Sequence, residues 1–284
     1  MNVKQLSEIF LIELSGLYSE QEIKSITFYA FHHILNFSRS DMLLKKEEQI
    51  NDENLSFLQD ILNKLKQEIP IQYVLGCAEF YGINLAVNPD VLIPRPETEE
   101  LVDWIIKENN NKTVKILDIG TGSACIAIAI KKNILLSTVF ASDISDKALI
   151  VAKENAKNNN AEIHFLNFDI LNVPENIKFP DFDIIVSNPP YVTESEKKYM
   201  KNNVLKYEPY NALFVSDNDP LLFYKAVADF SLKLIKKKIT LFFEINERFS
   251  SCLFDMLSEK GFSDIEVEKD INGKYRMLKC DYII

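Results

Sequence analysis

From residue 114 onward, apolar runs of strand length alternate with amphipathic stretches of helix length, and no other feature of this 284-residue chain restricts its fold as tightly. The runs at 114–119, 138–143, 163–169, 182–187 and 240–245 are dominated by apolar residues, as expected of strands covered on both faces. Helical patterns follow Ser123, Ser145, Asp219 and Glu247. Such alternation brings successive strands back in the same direction through right-handed crossovers, which predicts a mainly parallel α/β sheet with helices on both sides. Two last strand-like runs, 265–269 and 277–283, meet around Asn272-Gly273 and predict an antiparallel strand near one edge of an open sheet.

The first 70 residues read differently. Apolar residues recur at three- and four-residue spacing (Ile23, Ile26, Ala30, Phe31, Ile34, then Leu55, Leu58, Ile61, Leu62, Leu65), which predicts several short helices in a small domain of their own. Pro70 closes that region. Between 73 and 87, β-type residues broken by Gly76 and Gly82 predict a hairpin or extended connector, and Pro89, Pro94 and Pro96 stiffen the segment after it. A helical pattern resumes over 97–107, so the expected organisation is a helical domain at 1–72, a connector at 73–93 and an α/β domain at 94–284.

Composition narrows the function classes. A net charge of −10 and only four Arg residues oppose a phosphate backbone as partner. No apolar run approaches the roughly 18–20 residues needed to cross a bilayer, and the N-terminus lacks a leader pattern, so the expected location is cytoplasmic. Cys77, Cys125, Cys252 and Cys280 are scattered far from His32, His33 and His164 in sequence, which signals neither a metal site nor a disulfide framework; reduced, buried thiols are expected.

Four chemical signals lie at the carboxyl ends of successive strands, where open α/β sheets bind their ligands. In Leu117-Asp118-Ile119-Gly120-Thr121-Gly122-Ser123 a strand runs into a glycine turn; glycine lets a ligand approach the main chain, and free N–H groups at a helix start favour an anionic group, although a merely structural turn would read the same way. Asp143, 23 residues beyond Gly120, can accept both hydroxyls of an adenosine ribose or can cap the next helix. Asp169 and Ile170 would offer a carboxylate and an apolar face to adenine, or a simple turn. The fourth signal, Asn188-Pro189-Pro190-Tyr191 after a buried strand, presents a side-chain amide and carbonyl oxygens on a backbone that two prolines fix, and such a site suits a planar NH₂ group.

An amide nitrogen is a poor nucleophile because its lone pair is delocalised. Methylating it requires acceptors that hold its hydrogens and turn the lone pair toward an activated methyl; the Asn188 side-chain oxygen and the Pro189 carbonyl can each accept one N–H, with the Tyr191 ring packing against the flat group. No strong base is needed, since the N-methylated species is itself strongly acidic.

With these motifs, Pro70-Ile71-Gln72-Tyr73-Val74-Leu75-Gly76, Glu79-Phe80-Tyr81-Gly82, Leu92-Ile93-Pro94-Arg95-Pro96-Glu97-Thr98-Glu99 and Glu208-Pro209, the chain resembles the PrmC/HemK family of protein glutamine N5-methyltransferases over nearly its whole length. The resemblance implies a class I, Rossmann-like methyltransferase fold with a seven-stranded sheet, S-adenosylmethionine as cofactor, and the glutamine of a peptide chain release factor's Gly-Gly-Gln motif as substrate. It implies that Gly120, Thr121, Gly122, Ser123, Ala124, Asp143, Ile170 and Asn188 line the cofactor, that Asn188, Pro189, Pro190 and Tyr191 hold the glutamine, and that the helical domain helps dock the release factor. Two family glycines are replaced, by Ala124 and Asn246, and Ile170 stands where an aromatic residue is common. Competing readings are an amino-methyltransferase acting on adenine or guanine, an idle methyltransferase fold kept as a scaffold, and a dinucleotide dehydrogenase; Cys125 at the third glycine of GxGxxG speaks against the last.

Overall fold

Asn2, Ser19, Ser38 and Asn51 each precede a helix and each accepts a backbone N–H of its first turn, so side-chain caps start α1 (Val3–Leu14), α2 (Glu20–Leu35), α3 (Arg39–Leu44) and α4 (Asp52–Leu65). The computed structural model describes residues 1–235 and 237–284. These helices belong to the smaller of two units, Met1–Cys77 with Lys201–Tyr207. Its core is built from Leu6, Phe10, Phe31, Leu58 and Leu65, all fully buried, as the three- and four-residue spacing requires. Residues 73–75, expected to be extended, belong instead to a fifth helix, α5 (Ile71–Leu75). Pro70 opens it, Gly76 closes it in the left-handed region at φ 72°, and Ile71, Val74 and Leu75 pack on the helical core, so burial of one face overrides the β-type composition.

The larger unit, Ala78–Met200 with Glu208–Ile284, holds the sheet. In chain order come the hairpin β1 (Cys77–Phe80) and β2 (Ile83–Ala86), then α6 (Pro96–Asn109), β3 (Lys115–Ile119), α7 (Cys125–Asn133), β4 (Thr138–Asp143), α8 (Asp146–Asn158), β5 (Ile163–Asn167), β6 (Ile184–Ser187) and the short β7 (Val192–Thr193). A helix of the smaller unit, α9 (Asn202–Tyr207), interrupts the order; it is tied there by a Lys206–Glu68 ion pair at 2.7 Å, a Tyr207 hydroxyl donating to the Gln67 carbonyl at 2.7 Å, and a Lys201–Glu22 pair. The larger unit resumes with α10 (Tyr210–Leu213), β8 (Phe214–Val215), α11 (Leu222–Leu234), β9 (Lys238–Glu244), α12 (Ser250–Glu259), β10 (Ser263–Lys269) and β11 (Tyr275–Ile283).

Seven strands form one sheet in the order β10-β11-β9-β6-β3-β4-β5. The strands β9, β6, β3, β4 and β5 are parallel, and β11 runs antiparallel to both its neighbours, as the late hairpin predicted. The fold is therefore the seven-stranded, mainly parallel class I methyltransferase architecture. Alternate residues feed two cores. Ile116, Val139, Ile184, Phe242 and Met277 meet α6, α7 and α8, whereas Leu117, Ile185, Leu241, Phe243 and Leu278 meet α11 and α12. The third strand ends at Asn167 rather than Asp169, because the Asp169 carboxylate accepts the Leu171 N–H at 2.9 Å and turns the chain. Two cysteines differ from expectation: Cys77 is half-buried, and Cys252, in α12, is exposed. No helix among the described residues is long and apolar enough to cross a membrane.

Phe243 is fully buried and meets the Tyr224 ring edge-on at 5.3 Å. Phe243→Ala is expected to cost about 3–5 kcal/mol through lost transfer energy and a residual cavity. Urea denaturation followed by fluorescence of Trp104, the one tryptophan, which sits in the same unit, measures it; a loss below about 1 kcal/mol would contradict this packing.

Candidate active site

The sheet's chain order reverses between β3 and β6: β4 and β5 lie on one side of β3, β6 and β9 on the other. Loops diverging from that point leave a crevice at the carboxyl ends of the strands. A cleft of about 490 Å³ lies there, walled by Gly120 and Gly122 after β3, Ser142 to Ser145 at the end of β4, Phe168 to Leu171 after β5, Asn188 to Pro190 after β6, and Pro209 to Ala212. Of the residues expected at a site, Gly120, Gly122, Asp143, Ile170, Asn188, Pro189 and Pro190 line this one cleft. Thr121, Ser123 and Ala124 are buried behind it, and Tyr191 packs into the core of the sheet's α11/α12 side.

The glycine turn holds one departure from expectation. Its N–H groups are not free for an anion: Gly120 and Thr121 both donate to the Ser142 carbonyl at 2.9 Å, Gly122 to Asp143 at 2.9 Å, and Ala124 to the Thr121 carbonyl at 2.8 Å. Bonds to the adjacent strand end consume the donors that a pyrophosphate would need, which removes the basis of a dinucleotide reading. Gly120 and Gly122 have φ of 74° and 53°, and no protein atom lies within 4 Å of where a Cβ would stand on either, so the bare backbone borders open space. Ala124 sits at φ 64° and is fully buried, so alanine here bears the cost of a left-handed backbone.

Asp143 does not itself cap α8, a task that falls to Ser145; it ties the glycine turn to that cap. One oxygen accepts Gly122 N–H and the other Ser145 N–H, each at 2.9 Å, while Ser145 itself caps α8 by accepting from Ala148. Each carboxylate oxygen has a second lone pair, and Asp143 borders the cleft, so it can accept a pair of hydroxyls there. Burial pushes its carboxyl above the usual range, against the pull of the Ser145 and Gly122 N–H groups. Asp169 keeps both its oxygens on the turn, through Leu171 N–H and the Asn172 amide, and Ile170 with Phe168 supplies an apolar wall.

The Asn188 loop rests on Glu244, a residue that sequence reasoning did not single out. Glu244, at the end of β9 and 1% exposed, accepts hydrogen bonds from the Thr98 hydroxyl at 2.5 Å, the Asn188 amide nitrogen at 2.9 Å and the Tyr191 hydroxyl at 2.8 Å. Burial pushes the Glu244 carboxyl up, while the Thr98 and Tyr191 hydroxyls and the Arg276 charge hold it down. Asn246 braces the loop from another side, its amide donating to the Tyr191 carbonyl at 3.1 Å and to Glu196. Glu208 pairs with Arg95 at 2.6 Å and accepts Ile93 N–H at 3.2 Å, joining two segments that border the cleft. A charged residue closing an apolar strand, as in Leu241-Phe242-Phe243-Glu244, was the available signal for Glu244.

Asp118, at the foot of the turn, is fully buried; one oxygen accepts the Thr121 hydroxyl at 2.6 Å and the other has no hydrogen-bond partner among the described residues. Burial pushes its carboxyl up to about 7. The folded protein thus retains a proton that the unfolded chain releases near the ordinary value of 3.8, so this group's contribution to stability is lost as pH rises from about 4 to about 7. Asp118→Asn is expected to flatten that part of the stability–pH curve. Urea titrations between those limits test it, and an unchanged slope would overturn the assignment.

Residues 98–208 match the family model described as methyltransferase small domain, and residues 14–76 match the PrmC N-terminal domain. The chain is 42% identical over 286 residues to the release factor glutamine methyltransferase of Flavobacterium psychrophilum, covering 99% of this chain and 100% of that one. It is 42% identical over 268 residues to the release factor glutamine methyltransferase of Bacteroides thetaiotaomicron, covering 94% and 96%. A solved methyltransferase structure from Pyrococcus furiosus superposes with a TM-score of 0.52 at 19% identity, over 72% of this chain and 90% of that one, a likeness of fold alone. The bare glycine turn, the Asp143 carboxylate and the apolar wall of Phe168 and Ile170 fit S-adenosylmethionine. A chain with this sheet, this cleft and this identity to its relatives is an S-adenosylmethionine-dependent methyltransferase and belongs to the release factor glutamine methyltransferase (PrmC) family.

Proposed function

We propose that this enzyme methylates the N5 side-chain amide of the glutamine in a release factor's Gly-Gly-Gln motif. One observation carries the reading: Asn188, Pro189 and Pro190 wall the same cleft as Gly120, Gly122 and Asp143, so acceptors suited to an NH₂ group and a surface suited to adenosine share one space. The names of the relatives support the same substrate. In this reading Asp143 holds the ribose hydroxyls, Ile170 and Phe168 flank adenine, and the backbone of Gly120 and Gly122 permits close approach. S-adenosylmethionine, when bound, supplies an electrophilic methyl on a sulfonium.

The chain's own work is orientation. The Asn188 side-chain oxygen and the Pro189 carbonyl each accept one hydrogen of the glutamine amide, which fixes its plane and directs the nitrogen lone pair. Proline at 189 and 190 removes competing N–H donors and stiffens the support. Holding the two reacting atoms at ~3–3.5 Å removes much of the entropic barrier. The displaced proton passes to water after transfer, because the newly methylated amide nitrogen is strongly acidic, and no general base is called on. Tyr191 supports the loop from behind through Glu244 and does not border the cleft, so the flat-group packing expected of its ring passes to the proline rings. The helical unit docks the release factor.

Asn188→Ala is expected to abolish turnover with cofactor affinity retained, whereas Asp143→Ala weakens cofactor binding first. Calorimetry with S-adenosylmethionine and mass spectrometry of a release factor, seeking one added methyl on its glutamine, separate the two. Retained turnover in the Asn188 variant would remove the basis of the mechanism.

A further inference from the structure

Parallel pairing of β6 with β9 sets Ser187 against Phe243, so the next residues along, Asn188 and Glu244, emerge side by side from the sheet. Only one of them borders the cleft. Glu244 lies under the loop, fully enclosed, with Thr98 at the start of α6 on the same oxygen and Tyr191 on the other.

The hydrogens in this cluster can be counted. The Thr98 hydroxyl has one hydrogen and gives it to Glu244, so toward Asn188 its oxygen can only accept. The Asn188 amide nitrogen lies 2.9 Å from the Glu244 carboxylate and 3.3 Å from the Thr98 hydroxyl oxygen. These two acceptors are themselves only 2.5 Å apart, so one amide hydrogen of Asn188 points between them and is shared by both. A flipped amide would set its oxygen against a carboxylate and against a hydroxyl whose hydrogen is spent, with no donor to receive it, and would turn its NH₂ into the cleft. An NH₂ meeting a substrate NH₂ repels it.

We infer that Glu244, with Thr98, sets the rotation of the Asn188 amide so that its oxygen alone faces the cleft, which makes Glu244 a positioning residue for methyl transfer to a planar amide. The inference rests on the reading of this cleft as the glutamine-methylating site. Glu244 touches neither the cofactor-lining glycines nor Asp143 in any hydrogen bond, so its influence passes through Asn188 and Tyr191. The Tyr191 hydroxyl anchors the far end of the same loop on the other carboxylate oxygen, and a single side chain thereby fixes both ends of Asn188-Pro189-Pro190-Tyr191.

Glu244→Gln keeps the volume but offers one acceptor oxygen where the carboxylate offers two, so it cannot accept from both the Asn188–Thr98 side and Tyr191. In the full-length enzyme, with a release factor as substrate, Glu244→Gln is expected to lower kcat about tenfold, in keeping with one lost charge-assisted hydrogen bond. Glu244→Leu, which removes every acceptor, is expected to lower kcat about a hundredfold, the scale of a small misplacement of a reacting group. In both, KM for the release factor and the calorimetric Kd for S-adenosylmethionine stay within about threefold, because substrate docking and the cofactor wall are built elsewhere. The side-chain ¹⁵N–¹H signals of Asn188 give a readout independent of turnover: a slowly exchanging amide proton in the wild type, fast exchange in the Glu244 variants. Wild-type kcat in Glu244→Gln with unchanged Asn188 exchange would overturn the inference. So would a parallel loss of cofactor affinity and kcat, which marks a general structural role. Should the wild-type enzyme leave release factors unmethylated, the substrate assignment fails, and the Asn188 signals still decide whether Glu244 orients the amide.

Discussion

A parallel strand covered by helices on both faces has nowhere to place a polar side chain except at its ends, and this constraint organises the whole larger unit. Along β3, β4, β6 and β9 the interior residues feed two apolar cores, and the polar residues cluster at the carboxyl ends: Asp118, Asp143, Asn188 and Glu244. Because the chain order reverses beside β3, the loops from two of these ends diverge and leave a cleft, while the ends themselves stay close enough to bond one another. The site is thus a by-product of how a buried sheet must end.

Two kinds of polar residue share that edge, and burial separates their tasks. Asp143 and Asn188 border the cleft with acceptor capacity left over for a ligand. Asp118, Glu208 and Glu244 are almost wholly enclosed and accept from neighbouring loops: from Thr121 through one oxygen of the first, from Ile93 and Arg95 for the second, from Thr98, Asn188 and Tyr191 for the third. A buried carboxylate is costly unless donors surround it, and the donors are themselves loop residues, so each enclosed acid ties down a segment of the cleft wall. Asn246 fits this pattern, since its side chain adds a brace to the Tyr191 carbonyl.

Much of this architecture was legible in the sequence because it arises from local periodicity. The strand over 138–143 falls where alternation and the flanking Ser and Asp place it, and the antiparallel return at the C-terminus comes from Asn272-Gly273 between two β-rich runs. The cleft-lining Gly120, Gly122, Asp143 and Asn188 were legible for a related reason, since residues at strand ends with turn chemistry are conspicuous after apolar runs. The features that were not legible depend on contacts far apart in the chain. Residues 73–75 have β-type composition and fold as part of a helix because one face finds the helical core. Lys201–Tyr207 joins the helical unit through pairs with Glu22 and Glu68, at a distance of more than a hundred residues. The turn's N–H groups looked free for an anion, and only the register of β3 beside β4 shows those of Gly120 and Thr121 spent on Ser142 and that of Gly122 on Asp143.

Glu244 illustrates the limit most clearly. In sequence it is an acid at the end of an apolar strand, equally suited to solvent, a helix start or a buried network. Its meaning comes from the pairing of β9 with β6, which puts it beside Asn188, and from α6, which brings Thr98 to the same oxygen. A side-chain amide is nearly symmetric in shape, so steric packing cannot choose which end faces a substrate; only an asymmetry of donors and acceptors around it can. The loop's prolines explain why its backbone is rigid, but rigidity alone leaves the Asn188 amide free to present either face. The carboxylate beneath it supplies the missing asymmetry, and specificity for an NH₂ group over a carbonyl is then set by a residue that never meets the substrate.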